Sequence, residues 1–70
     1  MLAQTNFTLN GHAYFTEHKL TIFELINYFN YNSSLLVLEY NNLICPKKNW
    51  YKLVIKNNDR IEIITIVGGG

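Results

Sequence analysis

The chain has 70 residues, of which 49% are hydrophobic and 14% aromatic, and this composition excludes an intrinsically disordered protein. Six basic against five acidic side chains give a formal net charge of +1, which provides no basic field for binding nucleic acid. A chain of this length forms one small domain with a dense core, because it buries only about 60% of the surface that its unfolded form exposes.

Two short strands are predicted at the start of the chain, over residues 4–9 and 12–15. Polar and apolar side chains alternate in the first of them, and Asn10-Gly11 separates the two. Both central positions of a type I′ turn need a positive φ, which asparagine and glycine tolerate. The pattern therefore predicts a β-hairpin.

A helix is predicted to begin after Thr21 and to end near residues 30–32. Thr21 and Glu24 have the spacing of a capping box, and Leu20 and Leu25 that of a hydrophobic staple. The apolar positions recur at helical spacing and predict one apolar stripe that packs on a sheet: Ile22, Leu25, Ile26 and Phe29.

The second half of the chain begins with a predicted buried strand over residues 35–40, followed by a turn at Asn41-Asn42. Pro46 cannot donate a hydrogen bond to a sheet, so residues 43–55 are expected to form an edge segment and an irregular or single-turn helical crossing. Trp50 is expected to pack inward. A polar turn at residues 56–59 then leads into the closing strand.

The closing strand is predicted over residues 60–67. Ile61 and Ile63 share one face of it, and Glu62, Ile64 and Ile66 share the other. Because Glu62 marks the second face as the exposed one, Ile64 and Ile66 are candidates for docking a partner protein. The alternative is that local twist buries both isoleucines.

These elements together predict an α+β fold: a single β-grasp domain over residues 1–67, with a small mixed sheet and one main crossing helix. The first and last strands are expected to be adjacent and parallel. Residues 68–70 are expected to form a flexible glycine tail.

Gly68, Gly69 and Gly70 are consecutive, whereas the preceding 67 residues contain only Gly11. A segment without Cβ atoms can lie in a channel too narrow for other residues. Its carboxylate becomes an electrophile after attack on the α-phosphate of ATP, which gives an acyl adenylate and pyrophosphate. Mg²⁺ and cationic groups of an activating enzyme would neutralise the phosphate charge. The alternatives are a frayed terminus or a linker.

Other chemistry-bearing residues are interpreted as structural. Cys45 is a lone cysteine, interpreted as a packed apolar side chain, and His12 and His18 lack metal-ligand spacing. Three lysines near Trp50 and Tyr51 are interpreted as a solvated rim over a buried ring. No metal site is therefore expected in the chain.

A reducing compartment is expected, because Cys45 has no partner for an internal disulfide, and neither a secretory signal nor a membrane-spanning stretch is present. Ten asparagines, with many isoleucines, tyrosines and lysines, are typical of AT-rich codons. This bias indicates a chloroplast or other plastid, in its stroma, with a bacterial cytoplasm as the alternative.

Residues 38–70, LEYNNLICPKKNWYKLVIKNNDRIEIITIVGGG, resemble the ThiS family of sulfur-carrier proteins of thiazole biosynthesis. The shared positions, in order, are Asn41, Pro46, Trp50, Asp59, Ile61, Ile63, Gly69 and Gly70. Residues 7–29 resemble the opening hairpin and helix of that family. Two positions depart from its pattern: Asn58 stands where glycine is usual, and the terminal glycine pair is a triplet.

The resemblance implies a carrier protein that is not itself an enzyme. A ThiF-type adenylyltransferase would adenylylate Gly70, a sulfur donor protein would supply the sulfur of a thiocarboxylate, and a thiazole synthase of the ThiG type would receive it. Gly68 and Gly69 would give the enzymes access. The chain itself would bind no cofactor, since Mg-ATP would be used by the activating enzyme.

Three alternatives stay open. The chain could be a MoaD-type carrier of molybdopterin synthesis, a ubiquitin-like protein modifier, or a passive β-grasp interaction module. Pro46 and Trp50 favour the ThiS pattern over the MoaD pattern.

Overall fold

The computed structural model describes residues 3–66, and within them one α-helix packs on one face of a five-stranded mixed sheet. The strands are β1 (Thr5–Leu9), β2 (His12–Thr16), β3 (Leu36–Tyr40), β4 (Leu43–Ile44) and β5 (Asp59–Thr65). The helix is α1 (Ile22–Tyr28), and single-turn 3-10 helices cover Ser33–Leu35 and Lys47–Asn49.

The strand order is β2-β1-β5-β3-β4, in which β1 and β5 are parallel and all other neighbours are antiparallel. The first and last strands are therefore adjacent and parallel, and the predicted β-grasp fold is confirmed. The closing strand begins one residue earlier than predicted and ends at Thr65.

Asparagine makes the left-handed turns of this fold. The described non-glycine residues with positive φ are all asparagines: Asn10, Asn30, Asn41, Asn42 and Asn58. The φ values at Asn10 and Gly11 are 50° and 82°, as the predicted hairpin turn requires. Asn58, with a φ of 71°, keeps the turn in which the ThiS pattern has glycine. Half of the ten asparagines thus have a conformational role beyond codon bias.

The predicted capping box of α1 is present. The Thr21 hydroxyl accepts from the Glu24 N–H at 3.1 Å, and the Glu24 carboxylate accepts from the Thr21 N–H at 2.9 Å. The helix ends at Tyr28, earlier than predicted, because Asn30 takes a left-handed conformation. The Tyr31 N–H then donates to the Ile26 carbonyl at 3.1 Å, which closes the end of the helix.

The core lies between α1 and the inner face of the sheet. Its buried apolar residues are Phe7, Leu9, Ile22, Leu25, Ile26, Leu38, Cys45, Trp50, Ile55, Ile61 and Ile63. Trp50 packs inward as predicted, and its indole N–H donates to the Cys45 carbonyl at 3.1 Å. The Phe23 N–H donates to the Trp50 carbonyl at 3.1 Å, which fixes the start of α1 against the crossing segment. No helix within residues 3–66 has the length and hydropathy to span a bilayer.

Candidate functional site at the end of the last strand

The carboxyl end of β5 is held by β3. The two strands pair without interruption from Ile61 opposite Tyr40 to Thr65 opposite Leu36. One residue further on, the Ile66 N–H donates to the Leu35 carbonyl at 2.6 Å. The backbone is therefore anchored as far as Ile66, the last residue that the structure describes.

Asn10 holds the other side of β5. The parallel pairing of β1 with β5 stops at Leu9 and Ile61. Beyond it, the Asn10 N–H donates to the Ile61 carbonyl at 2.9 Å, and the Asn10 side-chain oxygen accepts from the Ile63 N–H at 2.7 Å. Asn10 thus extends the hydrogen bonding on this side of β5 from Ile61 to Ile63. The sequence predicts only a turn at Asn10, since no local signal shows which distant strand a turn residue contacts.

An apolar surface lies on the outer face of the sheet at this end of β5. Ile64 and Ile66 are 52% and 53% exposed, whereas Ile61 and Ile63 are buried against the core. Val37 lies directly opposite Ile64 on the neighbouring strand and is half-buried. We call Val37, Ile64 and Ile66 the outer patch. Both isoleucines are thus exposed, and their role in docking a partner stays a prediction.

Two carboxylates border the outer patch on the side away from Ile66. Glu39 and Glu62 lie directly opposite one another on β3 and β5, and each is two residues from a member of the patch. Like charges in this position destabilise a sheet by a few tenths of a kcal/mol or more. Arg60 lies two residues before Glu62 on β5, and its guanidinium donates to the Asn42 side chain at 3.5 Å. The outer face therefore combines an apolar end with an acidic border.

Asp59, at the start of β5, is buried and serves the structure. Its carboxylate accepts hydrogen bonds from the Tyr40 hydroxyl, from the Asn41 side-chain amide at 3.1 Å and from the Lys56 N–H at 2.7 Å. Burial, the hydrogen bond to Asp59 and the charge of Asp59 raise the pKa of the Tyr40 hydroxyl. These hydrogen bonds fix the turn at residues 56–59 that leads into β5.

Gly68, Gly69 and Gly70, the residues predicted to carry the chemistry, lie outside the described residues, as does Val67. The structure therefore fixes the position from which the glycines continue and leaves their predicted roles untested.

The remaining candidates are accounted for by packing. Cys45 is buried, and burial raises the pKa of its thiol, which disfavours the reactive thiolate. Tyr51 is exposed, with its ring stacked on Phe23 at 4.3 Å between centroids, whereas Trp50 is buried. Within residues 3–66, no three histidine, cysteine or acidic side chains lie together as metal ligands.

A match to the ThiS family covers residues 7–70, which includes every strand except the start of β1. The chain belongs to the ThiS family. Because the matched segment continues through Gly70, the family pattern includes the glycines that follow β5.

Three relatives carry the name uncharacterized protein ycf40. The protein from Trieres chinensis is 62% identical over 91% of this chain and 88% of its own length. Those from Porphyra purpurea and Pyropia yezoensis are 36% and 31% identical, each over 89% of this chain and 87% of its own length.

A crystal structure with the ThiS-family fold also matches. It is the thiamine biosynthesis protein ThiS from Geobacter metallireducens, with a TM-score of 0.80 and 22% sequence identity over 94% of this chain and all of that one. At this identity the likeness establishes the fold, and it agrees with the family assignment.

Proposed function

We propose that this chain is a sulfur carrier for thiazole synthesis in the thiamine pathway. The family match that runs through β5 to Gly70 is the observation that carries the proposal. In this role the protein is a co-substrate, and other enzymes act on the carboxylate of Gly70.

The proposed chemistry has two stages. A carboxylate oxygen of Gly70 attacks the α-phosphorus of Mg-ATP in a ThiF-type enzyme, and the bond to pyrophosphate breaks. A persulfide sulfur of a donor protein then attacks the acyl carbon and expels AMP, and a thiol reduces the resulting acyl disulfide to the thiocarboxylate. Thiazole synthase would take the sulfur from this group. Gly68 and Gly69 give the carboxylate access because they have no side chains.

The anchored end of β5 limits where the enzymes can bind. Four residues follow Ile66, and four fully extended residues span at most roughly 14 Å. An enzyme that reaches the carboxylate of Gly70 must therefore contact the carrier near Ile66. The outer patch is one exposed apolar surface at this position, beside the 47% exposed Leu35, and this supports its assignment as the docking surface.

The acidic border of the outer patch indicates the chemistry of the complementary surface. Glu39 and Glu62 would be relieved of their mutual repulsion by a lysine or arginine of the partner. We therefore propose that the ThiF-type enzyme presents an apolar contact to Ile64 and a basic side chain to the two carboxylates.

We place the protein in a plastid stroma. The AT-rich type of composition supports this location, and so does the algal source of the three ycf40 relatives. Fractionation of an algal cell that makes the untagged protein from its own gene, followed by detection of the protein in each fraction, tests this location. Recovery from the cytosol alone would contradict it.

Genetic complementation separates the thiazole pathway from its nearest rival. The chain is expected to restore growth of a thiamine auxotroph that lacks its own ThiS. It should leave a molybdenum-cofactor auxotroph that lacks MoaD unrescued, and the reverse pattern would assign the MoaD-type role.

The carrier chemistry itself is tested by the intact mass of the protein. Incubation with a ThiF-type enzyme, Mg-ATP, a persulfide donor and a thiol should replace one oxygen by sulfur. Extension of the chain by several residues after Gly70, which removes its free carboxylate, should abolish the change, and the Leu43→Lys variant, altered on an exposed residue of β4, should behave as wild type. An unchanged wild-type mass, under conditions that modify an authentic ThiS, would overturn the proposal.

A further inference from the structure

The outer edge of β2 is an unprotected sheet edge within residues 3–66. In natural proteins such edges are usually protected from pairing with another chain by charged residues, proline, bulges or very short strands. The opposite edge, β4, is two residues long and is followed by Pro46. β2, in contrast, has five residues in unbroken register with β1, and its sequence HAYFT contains no lysine, arginine, carboxylate or proline.

The hairpin geometry shows which backbone groups this edge offers. In a two-residue hairpin the pair that flanks the turn, here Leu9 and His12, exchanges hydrogen bonds, and such pairs alternate with unbonded ones. Tyr14 therefore bonds to β1, whereas Ala13 and Phe15 point their N–H and C=O groups away from it. These outward groups are available to another strand.

Exposed aromatic rings lie beside the same edge. An open groove of about 370 Å³ runs between β2 and α1, and its lining includes Tyr14, Tyr28 and Phe29. The Tyr14 ring contacts Phe29 edge-on at 5.3 Å, and Tyr28 is 81% exposed. Among the described residues, no charged side chain lines the groove. Phe15 also borders the groove, but alternation along β2 places its side chain on the other face, and it is 61% exposed.

We propose that β2 pairs with β2 of a second copy of this chain, antiparallel and about a two-fold axis at Tyr14. In this register Ala13 lies opposite Phe15 of the other copy, so each pair exchanges both backbone hydrogen bonds. On the outer face, the large Phe15 side chain of one copy then lies next to the small Ala13 side chain of the other. The Tyr14 and Tyr28 rings of the two copies meet on the groove face.

The area available fits a weak dimer of two copies. Tyr14, Phe15 and Tyr28 are 36%, 61% and 81% exposed, which for rings of this size is roughly 350 Å² per copy. With the strand edges added, the two copies together approach the ~1,000 Å² that a specific interface requires. The net charge of +1 and the absence of charged side chains on β2 leave little repulsion between the copies.

The dimer would keep the two carrier ends separate and accessible. β1 lies between β2 and β5, so the pairing leaves the outer patch and Ile66 uncovered. The inference is consequently independent of the proposed sulfur chemistry, and either can fail alone.

Sedimentation velocity of the full chain, from ~1 μM to ~1 mM, tests the pairing at concentrations suited to a small interface. Wild type should shift from monomer to dimer. Phe15→Lys should stay monomeric, and Leu43→Lys, which changes an exposed apolar residue on the other sheet edge, should dimerise as wild type. A wild-type monomer over the whole range would overturn the proposal, as would a dimer that Phe15→Lys leaves intact.

Amide hydrogen exchange of the wild type tests the register without any variant. The Ala13 and Phe15 amides should exchange at least several-fold more slowly at the high concentration, while the Tyr14 amide, already bonded to β1, should change little. A dimer in which the Ala13 and Phe15 amides exchange at the monomer rate would also refute β2 pairing.

Discussion

Asp59 shows how a single side chain can fix a turn in a small domain. It is the only charged side chain that is buried among residues 3–66, and its carboxylate has donors from Tyr40, Asn41 and the backbone of Lys56. A buried carboxylate is tolerated because each donor offsets part of the cost of removing it from water. The turn before β5 therefore depends on the Asp59 carboxylate.

Asp59→Asn is expected to lower the free energy of unfolding by about 2 kcal/mol, because an amide presents its own N–H groups to donors and removes the charge that strengthens the bonds. Urea denaturation at neutral pH measures the change. Glu62→Gln, which alters an acidic residue on the outer face, should change stability by less than about 0.5 kcal/mol. Equal effects of the two substitutions would contradict this account.

Tyr40 gives the same turn a pH dependence. Its folded-state pKa lies above the ordinary value of 10.0, mainly through burial and then through the hydrogen bond to Asp59. The folded chain therefore keeps a proton that the unfolded chain loses, so this contribution to stability is complete below about pH 10 and declines above it. Wild type should lose more unfolding free energy than Tyr40→Phe between about pH 9 and pH 11. Equal losses would show that the hydroxyl does not titrate as described.

At the scale of elements, the path of β5 depends on two neighbours that contact it in different ways. β3 holds it through a regular ladder, whereas β1 reaches only Ile61, and Asn10 supplies the next bond from a side chain. The β1–β2 turn thus also holds β5 in place through the hydrogen bonds of Asn10.

Asn10→Gly tests whether the Asn10 side chain holds β5. Glycine can keep the left-handed φ of 50°, but it lacks the side-chain oxygen that accepts from the Ile63 N–H. We expect a loss of about 1 kcal/mol in unfolding free energy. The Ile63 amide should exchange faster than in Asn10→Asp, which keeps an acceptor. Unchanged exchange at Ile63 in Asn10→Gly would show that the side chain does not hold β5.

Elements with local signals were predictable from the sequence. Asn10-Gly11 indicated the hairpin, and Thr21 with Glu24 indicated the start of α1, because the atoms involved lie within a few residues of one another. The end of α1 lies earlier than the sequence pattern predicts, because the left-handed Asn30 stops the helix.

The adjacency of the first and last strands was predictable as part of the β-grasp fold, but the individual contacts between distant segments were not. The bond from Ile63 to Asn10 joins residues 53 positions apart, and the pairing of Glu39 with Glu62 depends on which strands become neighbours. The exposure of Ile64 followed from alternation along β5, whereas Val37 became part of the outer patch only through the β3–β5 register.

At the scale of the whole molecule, the outer patch is proposed to bind the activating enzyme, whereas Gly70 is proposed to carry the reacting carboxylate. Ile64→Lys should raise the KM of a ThiF-type enzyme for the carrier about tenfold with little change in kcat, because the side chain contacts the enzyme and not the reacting atoms. Ile64 is half exposed, so the fold should tolerate the lysine. Leu43→Lys is the matched control, and an unchanged KM for Ile64→Lys would exclude the outer patch as the docking surface.

The central claim is that the carboxylate of Gly70 carries the sulfur, and fragmentation of the intact, modified protein in a mass spectrometer tests it most directly. We predict that the exchange of oxygen for sulfur is found on the fragment that contains Gly70 and on no fragment from residues 1–66. Sulfur located on Cys45, or a protein that acquires none beside an authentic ThiS that does, would contradict the account.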